Sequence, residues 1–151
     1  ASGIDQVNLM ISLNKGMKFV SLKEAASGGE NSRLMLALKT VFNKINPYDV
    51  MIFDEIDVGI SGNIAFKVSK KIEEISSSSQ VIVISHLVQV VANGDNHLFV
   101  YKEDGEEKTT SHIKYLTEEE LVREVAKMLS LDKVSESSLA SSRELINSFK
   151  R

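Results

Sequence analysis

The stretch Val50-Met51-Ile52-Phe53-Asp54-Glu55 sets four apolar residues directly before two adjacent carboxylates. A run of that length is too short for a helix that stands alone, and it fits a strand covered on both faces. Two charges at the end of a buried strand are costly unless they are paired or used. In open α/β sheets, ligands bind just beyond the carboxyl ends of the strands. The competing reading is plainer: Asp54 and Glu55 are loop carboxylates that cap the helix after them.

Working outward on the downstream side, Gly59, Ser61 and Gly62 break the chain. A helix follows with Ile64, Ala65, Val68, Ile72 and Ile75 on its inward face, and the tract Ser76 to Ser79 reads as a solvated turn. Val81-Ile82-Val83-Ile84 is a second buried strand, ending at Ser85-His86. Strand, helix and strand in this order predict a βαβ unit, hence an α/β fold with a mostly parallel sheet and flanking helices. On the upstream side, Leu34, Met35, Leu38, Val41, Phe42 and Ile45 share one face of a helix that Asn46-Pro47 stops. Ser27-Gly28-Gly29-Glu30 introduces that helix. Before it, Val7, Leu9, Ile11 and Leu13 face one way and Asn8, Ser12 and Asn14 the other, as in a half-buried strand, and a loop carrying Gly16 follows.

The C-terminal part has a different texture. Leu98-Phe99-Val100-Tyr101 and the stretch around His112-Ile113-Lys114-Tyr115 flank a charged turn from Glu103 to Lys108 containing Asp104-Gly105, a hairpin signal. Thr117 with Glu120 forms a capping box before a helix with Leu121, Val125, Met128 and Leu129 on one face. Residues 134–142 are serine-rich and predict a hinge or loop, with a last helix over Arg143–Phe149. Residues 1–151 are expected to form one domain, without internal repeats.

Composition narrows the function classes. The chain has 42% hydrophobic and 26% charged residues, as in ordinary globular proteins. It has no cysteine, which excludes a disulfide framework and thiolate metal sites and fits a reducing cytoplasm. With a net charge of −3, no overall basic balance attracts nucleic acid, so any DNA contact comes from a local patch or from another part of a larger protein. No apolar run reaches the roughly 20 residues of a membrane span.

Three motifs carry chemistry. Gly28 and Gly29 at a helix start let backbone amides approach an anion, where the helix dipole adds positive potential and Ser27 adds a hydroxyl. A capping box between Ser27 and Glu30 explains the same residues without a ligand. Asp54 and Glu55 form a Walker B arrangement, in which the aspartate serves Mg²⁺ and the next carboxylate polarises an attacking water. His86, at a strand tip, suits contact with a γ-phosphate, though a lone histidine there is usually just a polar surface residue. His97 and His112 have no companions at metal-ligand spacing and read as structural or exposed.

In sequence order, Ala26-Ser27-Gly28-Gly29-Glu30-Asn31-Ser32-Arg33 resembles the signature of the SMC-like branch of ABC ATPases, above all its bacterial DNA-repair members. Phe53 to Gly62 is similar to the Walker B and D-loop of that branch, and Val83 to Val90 to its switch-histidine segment. The resemblance runs from about Gly3 to Leu129. It implies the C-terminal part of an ATPase head. Ser27, Gly28, Gly29 and Glu30 would cap the γ-phosphate of ATP on the opposing head. Asp54 would serve Mg²⁺, Glu55 the hydrolytic water and His86 the γ-phosphate switch, while Asp57 would lie in the D-loop at the head–head interface. The implied partners are a Walker A half of the same protein, a second head in a homodimer and, through the full-length protein, DNA, in a cytoplasmic, nucleoid-associated setting without membrane contact.

None of the eight glycines begins a G-x-x-x-x-G-K-[ST] loop. Without that loop nothing here cradles the β-phosphate. The expectation is therefore a segment following a coiled coil that binds ATP and Mg²⁺ weakly and does not turn over alone, with an apolar face or sheet edge left for the absent half to cover. A non-hydrolysing docking module for DNA or a protein is one competing reading. The head of another SMC-like or ABC ATPase is another; within it, a transporter subunit fits less well because Ile56-Asp57 follows Glu55.

Overall fold

Alternation along β3 (Val50–Asp54) buries Met51 and Phe53 and leaves Val50, Ile52 and Asp54 exposed. This computed structural model describes the chain except residues 1–2, 5–6, 13–14, 23–27, 55, 58, 106–107, 131–132 and 151, and of residues 28–31 it describes the backbone. The strand is thus covered on one face, against the expectation of two. β3 pairs in parallel with β4 (Gln80–Ile84), Ile52 opposite Ile82 and Asp54 opposite Ile84. Partners across a ladder point to the same side, so Val50, Ile52, Ile82 and Ile84 form an uncovered apolar face.

The covered face packs on α2 (Gly62–Ser76), the crossover between the strands. Leu36, Met51, Phe53, Ile56, Ile60, Ala65, Val68 and Ile75 form one core cluster, joined at its edge by Ile72, Val81, Val83 and Leu87. Ile64, expected inward, is exposed.

α1 (Gly28–Ile45) turns the other way from its apolar stripe. Leu36, Thr40 and Asn43 are buried at i, i+4, i+7 spacing, while Met35, Val41, Phe42 and Ile45 are exposed. Thr40 satisfies its hydroxyl on the Leu36 carbonyl at 2.7 Å. Asn43 joins the serine tract: its Nδ2 donates to Ser78 Oγ at 2.9 Å, and its Oδ1 accepts from Ser79 Oγ at 3.0 Å and Tyr48 N at 2.9 Å. The tract is therefore more than a solvated turn, because Ser79 is buried in this network.

The opening strand is shorter than its alternation suggested. β1 (Met10–Ile11) pairs antiparallel with β2 (Val20–Ser21), and Val7 and Leu9 are exposed; Leu13 lies outside the described residues. After β4 come α3 (Val88–Ala92) and a hairpin of β5 (Leu98–Asp104) and β6 (Thr109–Tyr115), as its turn residues required. Parallel pairing among the described residues is thus two strands wide.

α4 (Glu118–Leu129) carries the expected capping box of Thr117 and Glu120, although Met128 and Leu129 at its end are exposed. α5 (Glu136–Phe149) corrects the serine-rich reading. Ser135 and Ser138 cap its start, and Ser142, fully buried, donates to the Val122 carbonyl at 2.7 Å. Small hydroxyl residues there let α5 approach α4. A second cluster, Ala92, Leu121, Val125, Ile146 and Phe149, holds this part together.

Candidate functional site

The parallel register brings the C-terminal ends of β3 and β4 side by side. Asp54, the last residue of β3, lies on the uncovered face. Glu55 lies outside the described residues. The chain then turns inward: Ile56 and Asp57 are buried, Ile60 N donates to the Asp57 carbonyl at 3.1 Å, and Gly59, with φ of 71°, takes the left-handed conformation this turn needs.

Asp57 is the centre of the site. One oxygen, Oδ2, accepts from Ser85 Oγ at 2.6 Å and His86 N at 2.8 Å, and lies 3.1 Å from His86 Nδ1. Ser85 Oγ in turn accepts from Leu87 N at 3.0 Å. Burial works against a charge on Asp57, but the Ser85 hydroxyl, the backbone N–H groups of His86 and of Asp57 itself, and the His86 ring together outweigh it. The carboxyl is held below its ordinary 3.8. The Asp57 side chain is 2% exposed and is used within the chain.

His86 is held from both sides. Its backbone follows β4, and α3 after it is fixed to α2 by Ser69 Oγ donating to the Gln89 carbonyl at 2.9 Å and Asn93 Nδ2 donating to the Ser69 carbonyl at 3.2 Å. The His86 side chain is nevertheless 79% exposed. His97 Nε2 lies 2.6 Å from the Val91 carbonyl, and His112 lies 3.3 Å from Glu103, a structural and a surface position respectively.

The glycine motif opens α1 at Gly28, with Gly29 and Glu30 in its first turn. Ser27 and the Glu30 side chain lie outside the described residues. At its C-terminal end α1 is tied through Asn43 to the residues before β3 and β4. The structure brings Asp54, at the tip of β3, close to the segment in which Asp57 meets Ser85 and His86. Sequence reasoning missed Ser85 as a site residue, although its place beside His86 at a strand end was the available signal.

Among the described residues no group of three His, Cys, Asp or Glu side chains is placed to hold a metal ion. Mg²⁺ commonly takes one or two carboxylates and fills its octahedron with phosphate oxygens and water. An exposed Asp54 fits such a share. A cleft of about 570 Å³ lies elsewhere, between Asn93, His97, Tyr115, Glu118 and Lys150, and neither Asp54 nor His86 lines it.

No family model matches the chain. The DNA repair protein RecN of Bacillus subtilis is 41% identical over 144 residues, 95% of this chain and 25% of that protein. RecN of Rickettsia bellii is 44% identical over 148 residues, 97% of this chain and 26% of that protein. The chain is RecN-like over nearly its whole length. It spans about a quarter of the length of the curated relatives it matches. Among solved structures, the Smc head domain with a coiled coil and joint from Pyrococcus yayanosii superposes with a TM-score of 0.63 at 28% identity, over 75% of this chain and 21% of that one. A structure from work on ATP-driven dimerization and DNA-stimulated activation of SMC ATPases gives 0.58 at 28% identity, over 78% of this chain and 70% of that one. The RecN-like chain therefore has the α/β fold of SMC ATPase heads. No helix among its described residues is long and apolar enough to cross a membrane.

Proposed function

We propose that these residues are the signature, Walker B and switch-histidine portion of an ATPase head in a RecN-like protein. In the complete protein, ATP binding and hydrolysis drive engagement and release of two heads during DNA double-strand-break repair and recombination. The reading is carried by the paired tips of β3 and β4, which set Asp54 beside the segment that holds His86. Asp54 contributes to the Mg²⁺ site, and Mg²⁺ neutralises charge on the phosphates. Glu55 polarises the attacking water, and His86 meets the γ-phosphate. Ser27, Gly28, Gly29 and Glu30 act across the interface, on ATP cradled by the other head.

The phosphate cradle itself comes from sequence outside these 151 residues. The open face of Val50, Ile52, Ile82 and Ile84 suits coverage by that part. Charge-assisted bonds to phosphates supply much of triphosphate affinity, so the chain alone binds ATP weakly and does not hydrolyse it. Joined with a segment bearing the Walker A loop, Glu55→Gln is expected to abolish turnover and leave an ATP-held dimer in size-exclusion chromatography with light scattering. Unchanged turnover and unchanged mass would refute the enzyme reading. Micromolar ATP affinity of the chain alone would refute the division of labour.

A further inference from the structure

We propose that Asp57 and Ser85 form a two-step relay that ties the backbone of residues 85–87 to the turn after Glu55, so that turn and segment move as one body. The relay itself is independent of the function proposed above; its meaning for turnover rests on that reading. An ionised carboxylate only accepts hydrogen bonds, whereas a hydroxyl donates one and keeps lone pairs to accept others. In the first step Asp57 Oδ2 accepts from Ser85 Oγ at 2.6 Å and from the backbone N–H of His86 at 2.8 Å. Bonds to an ionised acceptor are about twice as strong as neutral ones. In the second step the Ser85 hydroxyl, its proton committed to Asp57, accepts from Leu87 N at 3.0 Å. Asp57 thus acts on His86 directly and on Leu87 through Ser85.

Both flanks of the segment lead back to α2. Asp57 lies in the turn closed by Ile60 N on its carbonyl, and that turn runs into Gly62, the first residue of α2. On the other flank Leu87 is the N-cap of α3, which Ser69 and Asn93 fasten to the body of α2. The path from Asp57 through α2 to α3 and back along the relay is therefore a closed ring of covalent and hydrogen bonds. The hold is on the backbone: the Asp57 side chain is buried, while the imidazole of His86 stays mostly in solvent. A shift of the turn carries the backbone at the histidine with it and leaves the ring exposed. This gives a use to a carboxylate buried two residues after Glu55, whose partners lie on another strand tip.

Amide hydrogen exchange, resolved by NMR in the 151-residue chain, reads the relay without ATP. In the unmodified chain the His86 and Leu87 amides are expected to exchange about tenfold more slowly than in an unstructured peptide. Asp57→Ala is expected to speed both. Ser85→Ala should speed Leu87 and leave His86 slow, and Ser85→Thr, which keeps the hydroxyl, should leave both slow. Val68, buried in α2, is the control and stays slow while the fold holds. Fast exchange at His86 and Leu87 in the unmodified chain overturns the proposal whether or not the variants fold. So does an Asp57→Ala that speeds His86 alone, since the two bonds would then be independent. Where Asp57→Ala also speeds Val68, Ser85→Ala decides: a Leu87 amide that stays slow there overturns the proposal. In the reassembled head Ser85→Ala is expected to lower kcat several-fold with KM unchanged; an unchanged kcat would overturn the relay's part in turnover. If even the unmodified head failed to turn over, the proposed function would fall and the relay would stand.

Discussion

The two ends of the β3–β4 pair are closed by buried polar residues of opposite chemistry. At the N-terminal end, Asn43 bridges Tyr48, Ser78 and Ser79; at the C-terminal end, Asp57 bridges Ser85 and His86. Both span similar stretches of sequence to fasten loops that hydrophobic packing alone would leave loose. Asn43 meets a mixture, donating to one hydroxyl and accepting from another and from an N–H, which an amide can do. Every partner of Asp57 is a donor, which suits a group that only accepts. The neutral clamp fixes the fold, and the charged one also faces an exposed imidazole. A parallel pair can thus carry a structural end and a functional end using the same type of brace.

The largest expected effect on stability breaks the neutral end. Asn43→Ala leaves a hydroxyl and an N–H without an acceptor, at about 1–3 kcal/mol each, so a loss of about 3 kcal/mol in urea unfolding is expected. Turnover per folded molecule in the reassembled head should not change. A loss of turnover there would erase the contrast. Asp57→Asn keeps one acceptor oxygen and should cost less stability, about 1–2 kcal/mol.

Acid sharpens the comparison further. The folded carboxyl of Asp57 lies below its ordinary 3.8. Its stabilising contribution is therefore complete above that ordinary value and is lost as pH falls through the folded one. The stability gap between the unmodified chain and Asp57→Asn should narrow on acidification below about pH 4, while the Asn43→Ala gap should not. The smallest effect lies away from both ends: Thr117→Ala removes a helix cap worth about 1 kcal/mol and should leave turnover intact. There Glu120, which accepts from Lys114 and from Thr117 N, is held from an ordinary 4.5 down to about 2, so its pairing outlasts that of ordinary carboxylates in acid.

The contrast was only partly legible in the sequence. The order of the Gly28-Gly29 helix start, the strand ending in Asp54 and the strand ending in His86 could be read, because each is a local pattern of a few residues. The face of α1 could not. Periodicity separates Met35, Val41, Phe42 and Ile45 from Thr40 and Asn43, but it does not say which side a neighbouring layer covers, and here the polar side is covered. Alternation in Val50–Asp54 was hidden because both faces are apolar. The serines of 134–142 looked like a loop since their helical use depends on a cap at Ser135 and a carbonyl on another helix. Asp57 kept its role concealed for the same reason: its partners lie 28 and 29 residues downstream.

The central claim, that this surface works on ATP cradled by another head, is tested by mixing two inactive heads. One carries Ser27→Arg and the other a disabled phosphate-cradling lysine in its Walker A segment. In a two-fold dimer each mixed pair has one site with both elements intact, so turnover should return to about a quarter of the unmodified rate. No recovery, from heads that still dimerise, would contradict the account.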